Sequence, residues 1–364
     1  MTLWHAKETM ARVFGKDRER HLENKIGKRV VVLHGARLVE GLGPRLAQMS
    51  AALRTETSAI PDRALLRQLI MEKVGPICPI EDFPQEADIE LIGVDGSAAG
   101  FGGESCRLDA LAAVALSACG ARVTKFDLVH SLDTESRASI EQMAAEKSLP
   151  FEAAQDMLAK CRLAALECQA CRELLRHRQA GRKALALMDG GFLRYETMSR
   201  DDWCLLTDTA EETGTVLAGV IEEIGTFYVA GLVRSALDLE WPRNDRDLLF
   251  GLLDPGECIL VCPDLRFKGD YYTVFARLSD HPQPVAVDFL RSQVDSSLRN
   301  VKTALRIILG TTPRASRGFP LWLDIVDAEA RLTESDVEDL ARHSLGDDVV
   351  EKLLMPQRKR REAF

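Results

Sequence analysis

Apolar positions along the chain fall into short dense runs and a few helical periodicities. Leu65, Leu66, Leu69 and Ile70, preceded by Pro61-Asp62 and stopped by Gly75-Pro76, predict a helix. From Ile89 the pattern tightens. Ile89-Glu90-Leu91-Ile92-Gly93-Val94 predicts a strand running into a turn at Asp95-Gly96-Ser97 and a glycine-rich stretch, Ala98 to Gly103. Strands are expected at Leu111 to Ala118 and Ala121 to Val129, with Cys119-Gly120 as a hairpin turn. A long helical pattern opened by Pro150 continues through Ala153, Met157, Cys161, Leu163, Leu166, Ala170 and Leu174. A further run, Ala184 to Met188, ends in Asp189-Gly190-Gly191. Strands near Thr215 to Ile221, Cys258 to Cys262, Tyr271 to Leu278 and Pro284 to Phe289 follow, with helices to about Ala236 and around Leu290 to Leu309 and Leu321 to Leu332. Strands and helices mixed in this order predict an α/β fold.

Composition narrows the class. The 364 residues include 46% hydrophobic and 28% charged side chains, an ordinary globular balance. No run approaches the ~18 apolar residues a membrane helix needs, and the start of the chain has no apolar signal-peptide core, so a cytoplasmic protein without membrane contact is expected. A net charge of −9 argues against a protein that coats nucleic acid through its overall field. Nine scattered cysteines do not form a disulfide framework. Cys168 and Cys171 form a CxxC near Cys161, but no second pair follows, so packing is favoured over zinc.

Candidate chemistry lies in acids. Two apolar runs each end in Asp-Gly, at Asp95 and Asp189, and strand ends at the edge of an α/β sheet are where sites are assembled. Either alone is a common reverse turn. Glu167 changes the balance, because its helical neighbours Leu163, Ala164, Ala170 and Cys171 are all apolar or small. A carboxylate on that face is buried and needs a counter-charge: either an arginine, or a divalent cation shared with Asp95 and Asp189. By contrast, Glu173 reads as a solvated charge. Paired cations about 4 Å apart activate water and stabilise the leaving oxygen of a phosphoryl displacement. First-strand Asp, two further strands, helix Glu and next-strand Asp is an order that resembles ribonuclease H-like nucleases.

Together these residues resemble one family, the NurA nucleases. The resemblance covers roughly residues 88–345. It rests on Val94-Asp95-Gly96-Ser97, on Glu167 upstream of Leu187-Met188-Asp189-Gly190, and on Gly318-Phe319-Pro320-Leu321-Trp322-Leu323, with Leu217-Ala218-Gly219-Val220 and Leu253-Asp254-Pro255-Gly256-Glu257 as weaker support. It implies a ribonuclease H-like mixed-sheet core flanked by helices over residues 86–345; outside it, the polar, helical pattern of residues 1–85 is read as an added region, a dimer or docking arm, and Arg358-Lys359-Arg360-Arg361 marks 346–364 as a basic tail. The resemblance also implies a deoxyribonuclease using Mn²⁺ or Mg²⁺, two ions, acting as a 5′-to-3′ exonuclease and single-strand endonuclease on unpaired DNA and duplex ends. A homodimer working with the HerA hexameric ATPase in DNA end processing or defence is expected. Asp95, Glu167 and Asp189 are the carried-over ligands. Two departures stand out: Asp327 occupies the place of a frequent histidine and is taken as a fourth ligand, and Glu222-Glu223 follows Ile221 where a lysine is usual. Arg172, Arg176, Arg182 and Lys183, between the helix Glu and the second Asp, are candidate phosphate contacts, and Phe101 is a candidate base-stacking residue.

Two other readings stay open. An inactive partner that regulates a ring ATPase is kept open by the departures at Glu222 and Asp327. A sugar-kinase or actin-like ATPase also begins with strand-Asp-Gly and a glycine-rich turn that cradles phosphate.

Overall fold

A computed structural model describes residues 41–51, 61–86, 88–103, 106–179, 181–237 and 244–354. The chain divides into two compact units, Met1–Asp62 and Arg63–Phe364. Of the first, residues 41–51 form a helix. The basic tail at 358–361 lies outside the described residues.

The second unit is built on a nine-stranded sheet. Its strands are β1 (Ile77–Pro79), β2 (Glu90–Gly103), β3 (Cys106–Ser117), β4 (Arg122–His130), β5 (Ala184–Asp189), β6 (Thr215–Ile221), β7 (Glu257–Leu260), β8 (Tyr271–Ala276) and β9 (Val285–Leu290), in the order β1-β7-β8-β9-β6-β5-β2-β3-β4. The central pairs β2–β5 and β5–β6 are parallel, and every other pair is antiparallel. Strands buried on both faces read as continuous apolar runs, which is why Ala184–Met188 and Val285–Leu290 stand out in the sequence.

Helices cover both faces. α1 (Arg63–Lys73) stops at the expected Gly75-Pro76, and β1, just beyond it, places part of the residue 1–85 stretch in the sheet. α2 (Thr134–Lys147) and the long α3 (Phe151–His177) join β4 to β5. α4 (Phe192–Met198) and α5 (Arg200–Glu212) then lead into β6. Ala164, Cys168, Cys171 and Leu174 of α3 pack with Phe192, Tyr195, Trp203 and Leu206 against Ile92, Val94, Ala186 and Met188 in the main core. The nine cysteines are all free; Cys168 and Cys171 are buried here and burial pushes both thiols up, Cys171 to about 12, as expected of packing residues. α6 (Tyr228–Leu237), α7 (Asp245–Leu249) and α8 (Arg299–Gly310) follow, then α9 (Leu321–Ala330) and α10 (Glu334–Leu345). Val326 and Ala330 of α9 pack on Val114 and Leu116 of β3, on the opposite face of the sheet from the main core.

One expected turn is not a turn. β2 continues as strand through Asp95-Gly96-Ser97 and the glycine-rich stretch to Gly103, because β3 pairs with it from Ile92↔Ser117 to Gly103↔Cys106. The hydrogen bonds of that long ladder override the local turn chemistry. Among the described residues no helix is long and apolar enough to cross a membrane.

Candidate active site

The parallel ladder sets the site. β2 and β5 run side by side from Glu90↔Ala184 to Val94↔Met188, so the next residue of each strand, Asp95 and Asp189, lies at the same level where β5 ends. Side chains alternate between faces. Gly93 faces α9, since a Cβ there would lie 2.8 Å from Val326 Cγ2 and 2.9 Å from Trp322 Cδ1, and Asp95 shares that face. Only a residue without a side chain lets α9 approach so closely.

Glu167 arrives from the opposite face. A Cβ at Gly96 would meet Glu167 Oε1 at 2.7 Å and Leu163 Cδ1 at 2.8 Å, so the bare backbone of Gly96 is the gap through which the α3 carboxylate reaches the strand ends. Glu167 is fully buried, as its small neighbours predict. Its Oε1 accepts a hydrogen bond from Arg194 Nη2 at 2.7 Å, while Oε2 is buried without a hydrogen-bond partner. Arg194, in the first turn of α4, also donates from Nη1 to the Asp189 carbonyl at 3.0 Å, and the Tyr195 hydroxyl donates to the same carbonyl at 2.8 Å.

These acids feel one another. Burial, then Asp189, Glu167 and Asp327, pushes the Asp95 carboxyl up to about 8, although the Gly96 N–H donating to it at 2.7 Å works the other way. Burial and Glu167 raise Asp189 to about 6, Arg194 opposes them, and Asp327 and Glu222 add to the rise. Glu167 is raised by burial, against the pull of Arg194 and of the neighbouring Tyr195 hydroxyl. Asp327, on α9, is half-exposed and bonded to Arg331 at 2.6 Å. Glu222 is held by Arg317, which also binds Asp324.

The donor set is all oxygen and acidic, which suits a hard divalent cation, and the second Glu167 oxygen is a buried acceptor without a hydrogen-bond partner. As they stand, no three His, Cys, Asp or Glu side chains among the described residues are close enough to chelate one ion.

The family model of the NurA domain matches residues 90–332, two thirds of the chain. The chain belongs to the NurA family. The match runs from β2 through α9, so in this NurA-family chain it spans all four acids. The crystal structure of the NurA nuclease from Sulfolobus solfataricus matches with a TM-score of 0.51 at 15% identity, over 90% of this chain and 99% of that one. A crystal structure of NurA with manganese matches at 0.51 and 10% identity, over 82% and 98%, and a third NurA crystal structure at 0.50 and 12%, over 85% and 99%. At these identities the likeness establishes the fold: a mixed α/β architecture with a large sheet flanked by helices. No curated protein sequence matches this chain.

Against that NurA framework, the expected DNA contacts fare differently from the acids. Phe101 is 1% exposed, sealed by Val337, Ala341, Val350 and Leu354, and is not available to stack on a base. Arg182 and Lys183 precede β5, six or seven residues before Asp189, which puts them about 20 Å away at the opposite end of the strand. Lys183 bonds Glu86 at 2.6 Å and Arg182 lies against the Cys119 sulfur. Arg172 and Arg176 lie down α3 from Glu167, toward that same far end. None of the four lines the acid cluster. Glu173 is ion-paired with Lys125 and partly exposed.

The basic groups beside the site are others. One is Arg194. Arg331, on Asp327, is another, and buried Lys268 pairs with fully buried Asp288 at 2.7 Å, where Thr273 donates to the same carboxylate. Asp288 also accepts weakly from the Phe192 N–H, next to the Asp189-Gly190-Gly191 turn. An Asp within the otherwise apolar run Val285–Leu290 was the available signal for it.

Proposed function

We propose that this chain is a metal-dependent deoxyribonuclease with a ribonuclease H-like core. The observation that carries the reading is the pairing of Asp95 and Asp189, side by side where the parallel ladder ends, with a buried Glu167 approaching the adjacent Gly96 from the other face and presenting an oxygen without a hydrogen-bond partner. In the order β4-β3-β2-β5-β6, three parallel strands are continued on one side by the antiparallel meander β2-β3-β4, which supports the ribonuclease H-like description.

Asp95, Glu167, Asp189 and Asp327 would hold two Mn²⁺ or Mg²⁺ ions, and manganese is present in one of the matched NurA crystal structures. When bound, such ions supply an activated water and charge stabilisation at the leaving oxygen. The chain's own residues do the rest. Asp95 and Asp189 present their carboxylates side by side at the end of the paired strands, and Val326 and Trp322 pack against Gly93 on the face Asp95 shares. Arg194 and Tyr195 brace the carbonyl end of β5, fixing Asp189.

The reading extends to 5′-to-3′ exonuclease and single-strand endonuclease activity on unpaired DNA and duplex ends. It places a cytoplasmic homodimer with a HerA-type hexameric ATPase in end processing or defence. Family membership supports these elements, and the net charge of −9 fits a nuclease whose DNA is held largely by a partner ring. Residues 1–85 would then serve as a dimer or docking arm, 86–345 as the nuclease core, and the tail from 346 as a basic extension. The actin-like or sugar-kinase reading loses its phosphate-cradling turn, since Ala98 to Gly103 is strand.

The test is cleavage of linear duplex and single-stranded DNA with Mn²⁺, Mg²⁺ or EDTA, comparing the natural chain with Asp95→Ala and Glu167→Ala. Cleavage that needs the metal and is lost in both variants is the expected result. DNA left intact, even with the ring ATPase and ATP present, would favour an inactive regulator instead.

A further inference from the structure

Glu167 has no exposure to solvent, and the cation paired with it is Arg194. That guanidinium is unusually committed. It donates 2.7 Å to Glu167 Oε1 and 3.0 Å to the Asp189 carbonyl, and its carbon lies 4.9 Å over the Tyr195 ring. Tyr195 is itself fully buried and stacked on Trp203, so the base of this clamp is rigid. The arginine side chain is 36% exposed, which leaves it a way out to solvent that Glu167 lacks. Glu167 meanwhile keeps one oxygen with no partner, and the acids as placed do not close on a common ion.

We propose that Arg194 is the resident counter-cation of Glu167, and that a divalent ion at the acid cluster must displace it: guanidinium and metal are alternative partners of one carboxylate. The inference rests on the metal-dependent reading above. A buried carboxylate is strongly unfavourable without a neighbouring positive charge. In the metal-free protein Arg194 supplies that charge and holds Glu167 ready beside Gly96. Entry of a doubly charged ion makes the guanidinium redundant and electrostatically repelled. Arg194 is thus a positioning residue that sets the affinity of the site for metal, and it keeps the site closed when metal is scarce.

The test is Mn²⁺ binding to the full chain by isothermal titration calorimetry, alongside the melting temperature in EDTA, for the natural protein, Arg194→Gln, Arg194→Lys and Glu167→Gln. Arg194→Gln should bind Mn²⁺ at least about tenfold more tightly while melting lower in EDTA. Arg194→Lys, which keeps the charge but cannot span both acceptors, should fall between. Glu167→Gln should lose most of the affinity. Unchanged or weaker Mn²⁺ binding by Arg194→Gln, with the natural chain binding normally, would overturn the proposal alone, as would full affinity in Glu167→Gln. Absence of Mn²⁺ binding in the natural chain and in both arginine variants would instead remove the metal-dependent reading and the proposal with it.

Discussion

Replacing Asp95 by Asn should stabilise the metal-free protein, and more so as the pH rises. Asp95 is 6% exposed, and its carboxyl is raised from 3.8 to about 8 by burial and by the neighbouring acids. The folded value lies above the unfolded one. Between them the native state keeps a proton that the unfolded chain has lost, so unfolding becomes progressively easier as pH climbs from about 4 to about 8, and the effect is constant above that. About four units at 1.36 kcal/mol each set a ceiling near 5 to 6 kcal/mol. Asp189, itself raised to about 6, titrates together with Asp95, and the shared burden reduces what one substitution releases. A gain of about 2 to 3 kcal/mol at pH 8.5 is therefore expected, shrinking by about 2 kcal/mol at pH 5.5. Asn keeps the acceptor used by the Gly96 N–H, so the comparison isolates charge. Urea unfolding followed by circular dichroism in EDTA, at both pH values, measures the difference. A gap between the two proteins that stays flat with pH, or a variant less stable at pH 8.5, would refute the claim that these acids crowd one another.

Other outcomes follow from single contacts. Gly96→Ala puts a methyl 2.7 Å from Glu167 Oε1, so cleavage should fall about a hundredfold while stability drops by about 1 to 3 kcal/mol; kinetics and melting curves together check it. Lys268→Met leaves Asp288 buried and unpaired at a cost of about 3 to 5 kcal/mol by urea unfolding, and adding Asp288→Leu should recover most of that. Asp327→Asn breaks only an exposed pair with Arg331, so stability should change by less than about 1 kcal/mol, whereas cleavage falls about tenfold or more if it is a ligand. Natural-chain rates in that variant would take Asp327 out of the ligand set.

The acids were legible in the sequence because their signals are local. Five apolar residues ending in Asp-Gly mark Asp189 as a strand end, and small neighbours at helical spacing mark Glu167 as buried. Asp95 carries the same Asp-Gly signature yet sits inside a fourteen-residue strand, since the pairing that extends β2 comes from β3 rather than from its own residues. What remained hidden depends on distant contacts. Glycines on either side of Phe101 suggest an exposed flexible tip, but its cover comes from residues 337–354. Arg182 and Lys183 are close in sequence to both Glu167 and Asp189. The chain, however, descends α3 and returns along β5, so the connection between them lies at the far end of the sheet. Arg194 is 27 residues beyond Glu167 on another helix, and no periodicity links the two.

Acids from two strands and one helix form, on this reading, a single cation-binding reaction centre. Anomalous diffraction from crystals of this chain soaked in Mn²⁺ tests it most directly. Manganese density is expected between the Asp95 and Asp189 carboxylates, with Glu167 turned toward it and Arg194 released. Manganese bound elsewhere on the chain, with Asp95 and Asp189 bare in crystals of a protein that still cuts DNA, would contradict it.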